Sequence, residues 1–303
     1  MSLSSQTRTL WAALVGIPLL FGAITALQVS IDAQTLSAEQ EQQELVLRSP
    51  AAVKGLSLGY EGLLADIYWT RAVQYYGQRV GITGAKFDQL WPLLDITTTL
   101  DPKLIIAYRF GAVFLSETGV GGAGRTDLAV QLVRRGIAAN PDEWRLNSDL
   151  GFLYYWHLHD YPAAAQAYLD GSRKPGAPPT LKIMAARVAE LGGSIETSRM
   201  IWSEIYQSTK DRNVRKKALE QLQGLKALED ETHLDELAQE YRKRFGRNPA
   251  STNEMRAAGM LPGIPVDPAG YPYVFGPDGK SRLHPESPVV VPPEPSLPPR
   301  VPN

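Results

Sequence analysis

The chain has 303 residues, of which 31 are Lys or Arg and 32 are Asp or Glu, giving a net charge of -1. Because this balance leaves no basic excess for a face that binds phosphates, we predict no nucleic-acid partner. The absence of cysteine excludes disulfides, thiolate zinc sites, iron–sulfur clusters and cysteine nucleophiles. The length allows two domains or one elongated array.

The amino terminus predicts a membrane anchor. Residues 10–29 hold twenty positions without a charge, which as a helix match a bilayer core about 30 Å thick. Residues 1–9 carry Arg8 and no acid, whereas Asp32 and Glu39 follow the span. The positive-inside tendency therefore predicts a single-pass protein of the bacterial inner membrane, with residues 1–9 cytoplasmic and the rest exported. A cleaved signal peptide and a buried soluble helix are the alternatives.

A period of 34 residues runs through the middle of the chain. Pro141 and Pro175 stand 34 residues apart, with Gly151, Tyr154 and Ala163 between them. This order, L-G-x-x-Y followed by A and P, resembles the tetratricopeptide repeat family. The packing explanation is that the small Gly151 lets two helices approach, Tyr154 fills the gap beside it, Ala163 lies at a close crossing and proline ends the second helix.

Weaker copies of the motif at Leu64-Ala65, Phe110-Gly111 and Met184-Ala185 extend the resemblance over residues 58–207. One helix pair cannot bury its apolar stripe alone, so the pairs are expected to stack. We therefore predict an all-α fold: a tetratricopeptide-type superhelix, or solenoid, with one transmembrane helix and a small carboxy-terminal helix plus β-hairpin.

The flanking regions complete the predicted organisation. Residues 30–57 are expected to form a linker and first helix. Residues 208–247 are expected to cap the array with two charged helices, at 212–226 and 232–245, because the end of a solenoid needs a polar outer face.

The carboxy-terminal region changes composition. Residues 248–283 predict a short helix near 251–258 and a β-hairpin around the turn at 276–279. The runs FGRNPASTNEM and VDPAGYPYVF are similar to the carboxy-terminal end of type II secretion pseudopilins. Residues 284–303 are rich in proline and predict a disordered tail that acts as a spacer.

The sequence offers little chemistry. His157 and His159 are two residues apart, so on one helix they point in different directions and cannot share a metal. No phosphate-binding loop, zinc-protease motif or nucleophile elbow occurs. We predict that the protein is not an enzyme and has no catalytic residue, no cofactor, no metal site and no small-molecule substrate.

The tetratricopeptide resemblance implies a concave face lined by the first helix of each pair. Carried over residue by residue, it assigns partner-binding roles to Asp66, Trp69, Tyr108, Leu115, Arg145, Phe152, Tyr155, Trp156 and Lys182. Such a surface is aromatic with few charges, which suits an extended apolar or proline-containing segment. The alternative is that some of these aromatic residues pack inside the protein.

Together these features predict a membrane-anchored, exported scaffold that mediates protein–protein interaction in an envelope assembly, such as secretion, pilus or cell-wall machinery. The alternative is a structural accessory subunit that is packed permanently in a larger membrane complex.

Overall fold

The computed structural model describes residues 50–292 together with Gly22, Ile24 and Thr25. Within residues 50–292 the α-helices are α1 (Pro50–Gly55), α2 (Glu61–Gly77), α3 (Leu90–Leu100), α4 (Ile105–Ser116), α5 (Thr126–Ala139), α6 (Trp144–Phe152), α7 (Tyr161–Ser172), α8 (Pro179–Leu191), α9 (Ile195–Ser208), α10 (Arg212–Phe245) and α11 (Thr252–Ala257). A π-helix, Leu153–Leu158, continues α6, and a short 3-10 helix spans Gly119–Gly121. The strands are β1 (Val274–Phe275) and β2 (Ser281–Arg282).

The helical part of the predicted fold class is confirmed, because helices dominate the described part of the chain. The predicted span at 10–29 lies outside that part, except for Gly22, Ile24 and Thr25. Among the helices that the structure describes, none combines the length and the apolar character needed to cross a bilayer.

The chain divides into two compact units. The first comprises Met1–Ala72 and Pro92–Asp101. In its described part, Val53, Ala65, Ile96 and Leu100 form a buried cluster, against which Leu64 and Tyr68 pack. This small core joins α1 to the segments of α2 and α3 that belong to the unit.

The second unit comprises Val73–Trp91 and Pro102–Asn303. In it each helix from α4 to α10 packs against the next helix in the sequence. Helices α6, α8 and α10 begin at Trp144, Pro179 and Arg212, and α7 and α9 begin at Tyr161 and Ile195. The period of about 34 residues that the sequence shows is therefore also the spacing of the helices.

Glycine on one helix and tyrosine on its neighbour set the helix spacing in this unit. A Cβ atom on Gly151 would lie 2.7 Å from the ring of Tyr168, and one on Gly136 would lie 2.8 Å from the ring of Tyr108. Both rings are almost completely buried. The predicted packing role of Gly151 is confirmed, with Tyr168 as the residue that fills the gap.

Ala163 has a different role from the predicted one. It lies half-buried in the first turn of α7, where its N–H donates to the side chain of Asp160 at 3.1 Å. Ala164 and Ala165 are the buried alanines of this helix. The close crossing therefore falls one or two residues later than the motif indicates.

The predicted pair of capping helices is wrong, because α10 is one helix of 34 residues. It begins at Asp211, whose carboxylate accepts the N–H groups of Asn213 and Val214, and it ends at Gly246 in the left-handed conformation. Between these signals no proline interrupts the chain, and the Lys226–Asp230 ion pair at 2.8 Å supports the expected break point. A run of charged residues inside a helix is compatible with a single exposed face.

The carboxy-terminal module contains the predicted short helix and hairpin. Helix α11 begins at Ser251, whose side chain accepts the N–H of Glu254, and the Glu254 carboxylate accepts the N–H of Ala250. The hairpin pairs β1 with β2 in antiparallel register. It is fixed to α10 because the N–H and hydroxyl of Ser281 both donate to the carboxylate of Asp235.

The predicted disordered tail is partly wrong. Residues 284–292 are described and pack on the unit, with Val289 only 8% exposed. Residues 293–303 lie outside the described residues. The tail begins as an ordered segment because its first valine finds an apolar site.

We predict that Gly151→Ala lowers the free energy of unfolding by about 1–3 kcal/mol, because the added methyl group collides with the ring of Tyr168. Chemical denaturation followed by circular dichroism measures this change. Gly77→Ala is the control within the same unit, since a Cβ there meets nothing within 4 Å. Equal stability of the two variants would contradict the packing role.

Candidate partner-binding site

The structure separates the predicted partner-binding residues into exposed and buried groups. Phe152 is 45% and Trp156 is 60% exposed, and Tyr155 is half-buried. Tyr108 and Leu115 are buried, at 0% and 1% exposure, which corrects the prediction for these two residues. On α4 the family positions face the neighbouring helix, where Gly136 makes room for the ring of Tyr108.

The charged and remaining members lie apart from the aromatic group. Arg145 is exposed and pairs with Glu143 at 3.0 Å. The ammonium group of Lys182 pairs with Glu204, and its side chain is only 19% exposed. Asp66, exposed, and Trp69, half-buried, belong to the first compact unit.

Phe152, Tyr155 and Trp156 form one continuous aromatic surface. The rings of Phe152 and Trp156 are nearly parallel, at 8° and a centroid distance of 6.3 Å. Tyr155 lies 6.5 Å from Trp156 and 6.0 Å, edge to face, from Tyr161. These contacts hold the side chains in fixed positions, so their exposed faces are preorganised for a partner.

This aromatic surface stands on a backbone irregularity that the sequence does not announce. After Phe152, helix α6 continues as a π-helix, which ends when Asp160 donates its N–H to the carbonyl of Tyr154 at 2.9 Å. His159 then adopts the left-handed conformation, with φ at 54°. Such a conformation costs a non-glycine residue about 1–3 kcal/mol, and both features concentrate at functional sites.

Two contacts between helices hold α6 in place beneath this surface. Arg109 on α4 donates to the carboxylate of Asp149 at 2.7 Å and 3.4 Å. The Asp149 carboxylate raises the pKa of Arg109, which keeps the guanidinium charged. Arg134 on α5 donates to the hydroxyl of Tyr154 at the start of the π-helix. Three consecutive helices therefore position the aromatic surface.

The two histidines near this surface show no metal site. Burial lowers the pKa of His157, and its Nε2 atom is buried without a hydrogen-bond partner. Over residues 50–292 and the three described residues before them, no group of three His, Asp or Glu side chains could hold a metal ion. His157 instead makes an edge contact with the ring of Phe152, at 6.0 Å, and so supports the aromatic surface.

A polar cleft of about 660 Å³ lies between α10 and the hairpin. Its lining carries both charges: Glu231, Asp235, Glu236 and Asp278 face Lys280 and Arg282. Most of these groups already have structural partners. Asp278 pairs with Arg282 at 2.6 Å, and the carboxylate of Glu231 accepts the N–H of Leu283. The cleft is therefore explained by the attachment of the hairpin to α10.

Comparison with known proteins gives little beyond the fold class. The chain matches no protein-family model and no curated protein sequence. It is similar to the crystal structure of PilW, described as a widely conserved type IV pilus biogenesis factor. The two share 15% identity over 65% of this chain and 87% of that chain, with a TM-score of 0.34. A TM-score of this size does not establish a common fold.

Glu190 occupies on α8 the place that Trp156 holds one period earlier. It is half-buried, and its Oε2 atom is buried without a hydrogen-bond partner. Burial raises the pKa of Glu190, and the positive charges of Arg187 and Lys217 oppose this rise. A carboxylate at this position therefore destabilises the folded state when it is ionised.

We predict that Glu190→Gln raises the free energy of unfolding at about pH 7 and has little effect at about pH 4. The folded state holds the Glu190 proton more tightly than the unfolded chain does. Wild-type stability consequently falls as the pH rises from the ordinary pKa of 4.5 through the raised pKa, a loss that the variant does not share.

Chemical denaturation over a series of pH values measures this difference. Glu240→Gln, at an exposed position of α10, is the matched control and should follow the wild type. A stabilisation by Glu190→Gln that does not change with pH would contradict the explanation.

Proposed function

We propose that this protein is a non-enzymatic, exported scaffold whose second unit binds another protein of the cell envelope through the aromatic surface of Phe152, Tyr155 and Trp156. In this proposal the helices form a tetratricopeptide-type solenoid, and residues 10–29 anchor it in the bacterial inner membrane. The observation that carries the proposal is a preorganised, solvent-facing aromatic group on a π-helix.

The energetics of interfaces support this use of the surface. Trp and Tyr are enriched among the residues that dominate binding energy, because they bury a large area while losing few rotatable bonds. Trp156 leaves 60% of its surface exposed, although its neighbours in the unit could have covered it. Bringing a partner over this side chain removes that apolar area from water, at about 25 cal/mol for each Å².

The charges around the surface favour an apolar rather than an acidic partner segment. Arg145 is engaged by Glu143, and Lys182 is engaged by Glu204. Neither cation is therefore held ready for the carboxylate of a ligand. Aromatic grooves without a dedicated charge suit extended proline-containing segments, which lose little conformational entropy on binding.

We expect Trp156→Ala to reduce partner binding by at least about tenfold, because the variant loses the most exposed ring of the surface. The assay introduces a photo-crosslinking amino acid at Arg145, next to the surface, and compares crosslinked products in intact membranes with and without Trp156→Ala. Circular dichroism establishes that the variant keeps its helices.

The control is Met200→Ala on α9, which also shortens an exposed apolar side chain, 56% exposed, but lies off the aromatic surface. It should leave the crosslinked product unchanged. If Trp156→Ala and Met200→Ala behave alike, the aromatic surface is not the binding site.

The proposed location has a separate test. Protease added to cells with a permeabilised outer envelope should digest residues 50–292, while a tag placed before residue 10 should survive. Digestion of the tag and protection of the body would reverse the proposed orientation. Recovery of the full chain in the soluble fraction would contradict the anchor.

A further inference from the structure

The last described residues cross α10 at a glycine. A Cβ atom on Gly224 would lie 2.3 Å from the carbonyl oxygen of Val290 and 3.2 Å from the ring of Pro292. Any other residue at this position would therefore push the segment away. Glycine inside a helix is unfavourable by about 1 kcal/mol relative to alanine, so the close approach accounts for its presence in α10.

The segment is held in this place by few contacts. Val289 is 8% exposed, whereas the next side chain, Val290, is 77% exposed. The hydroxyl of Ser287 donates to the carboxylate of Asp267. One buried valine and one hydrogen bond fix a segment whose remaining contact with Gly224 is made by backbone, which makes the segment exchangeable for another of similar chemistry.

The position of Gly224 within the helical array links it to the aromatic surface. Helices α6, α8 and α10 begin at Trp144, Pro179 and Arg212. Counted along this period, Trp156 on α6, Glu190 on α8 and Gly224 on α10 occupy equivalent places. The segment thus lies on α10 where the exposed tryptophan lies on α6, and equivalent places of stacked repeats form one continuous face.

We propose that Gly224 and its surroundings on α10 form a binding site for an extended valine- and proline-containing segment of a partner protein, and that Val289–Pro292 occupies this site as an internal ligand. The proposal rests on the proposed function, because it identifies the chemistry of the segment that the same face binds. A proline-containing segment suits the site, since it is already extended and presents few N–H groups that need partners.

Internal occupancy has a defined consequence for binding. A partner segment must displace Val289 before it reaches Gly224, so the chain's own segment lowers the apparent affinity of the site. Weakening the internal contact, while leaving Gly224 intact, should therefore strengthen binding in trans.

The test uses the full chain with Val289→Asp, and Val290→Asp as the matched control. The two variants make the same chemical change at neighbouring positions, one buried and one exposed. The probe is a fluorescent peptide with the native sequence of residues 284–303. Hydrogen exchange of residues 284–292 reports release of the segment, and fluorescence anisotropy reports binding of the peptide.

Val289→Asp should speed exchange in residues 284–292 and tighten peptide binding by at least about tenfold over the wild type, since it removes a fully buried valine from the site. Val290→Asp should resemble the wild type in both measurements. Adding Gly224→Ala to Val289→Asp should abolish peptide binding, because the methyl group fills the space that the carbonyl of Val290 requires.

Several results would overturn the proposal. One is unchanged exchange and binding in Val289→Asp; another is peptide binding that survives Gly224→Ala. A wild-type dimer that Val289→Asp converts to a monomer would show that copies exchange the segment, which contradicts internal occupancy. If Val289→Asp also exposes the hairpin at 274–282, Val289→Ala carries the same comparison with less disturbance.

The outcome is separable from the proposed function. Loss of crosslinking in Trp156→Ala, combined with no effect of Val289→Asp, would leave the aromatic surface standing and reject the site at Gly224. Tighter peptide binding in Val289→Asp, with crosslinking unaffected by Trp156→Ala, would do the opposite.

Discussion

The second unit depends on the distance at which consecutive helices can pack. Tyrosine rings lie directly against the backbone at Gly136 and Gly151, where any side chain would collide. Such contacts give both a close approach and a large buried ring, and they fix how each helix meets the next. The place of Asp149 opposite Arg109, and with it the position of the π-helix, follows from this spacing.

The same device recurs with a different occupant at Gly224. There the missing side chain admits a carbonyl group and a proline ring from the end of the chain instead of a tyrosine. Glycine within a helix thus has one meaning at three places, which is that something else occupies the space of its Cβ. The nature of the occupant distinguishes the helix contacts from the proposed peptide site.

The sequence predicts the features that local patterns determine. The helix stops, the role of Gly151 and the hairpin around residues 276–279 follow from turn chemistry and periodicity. It does not predict the burial of Tyr108, because a family position states where a residue lies on a helix and not what covers it. The continuous α10 was missed since charge runs carry no stop signal, and the π-helix was missed because six ordinary residues, LYYWHL, encode it.

The length of α10 has a consequence for how the carboxy-terminal module is oriented. This helix carries Gly224 in its first half and the carboxylate of Asp235, which holds Ser281, in its second half. Since an α-helix turns by about 100° and rises by 1.5 Å per residue, one residue inserted between these positions would rotate the hairpin away from the segment that crosses Gly224. The repeats and the module are consequently locked in helical phase, and the number of residues between Gly224 and Asp235 is fixed by geometry and not by the side chains in between.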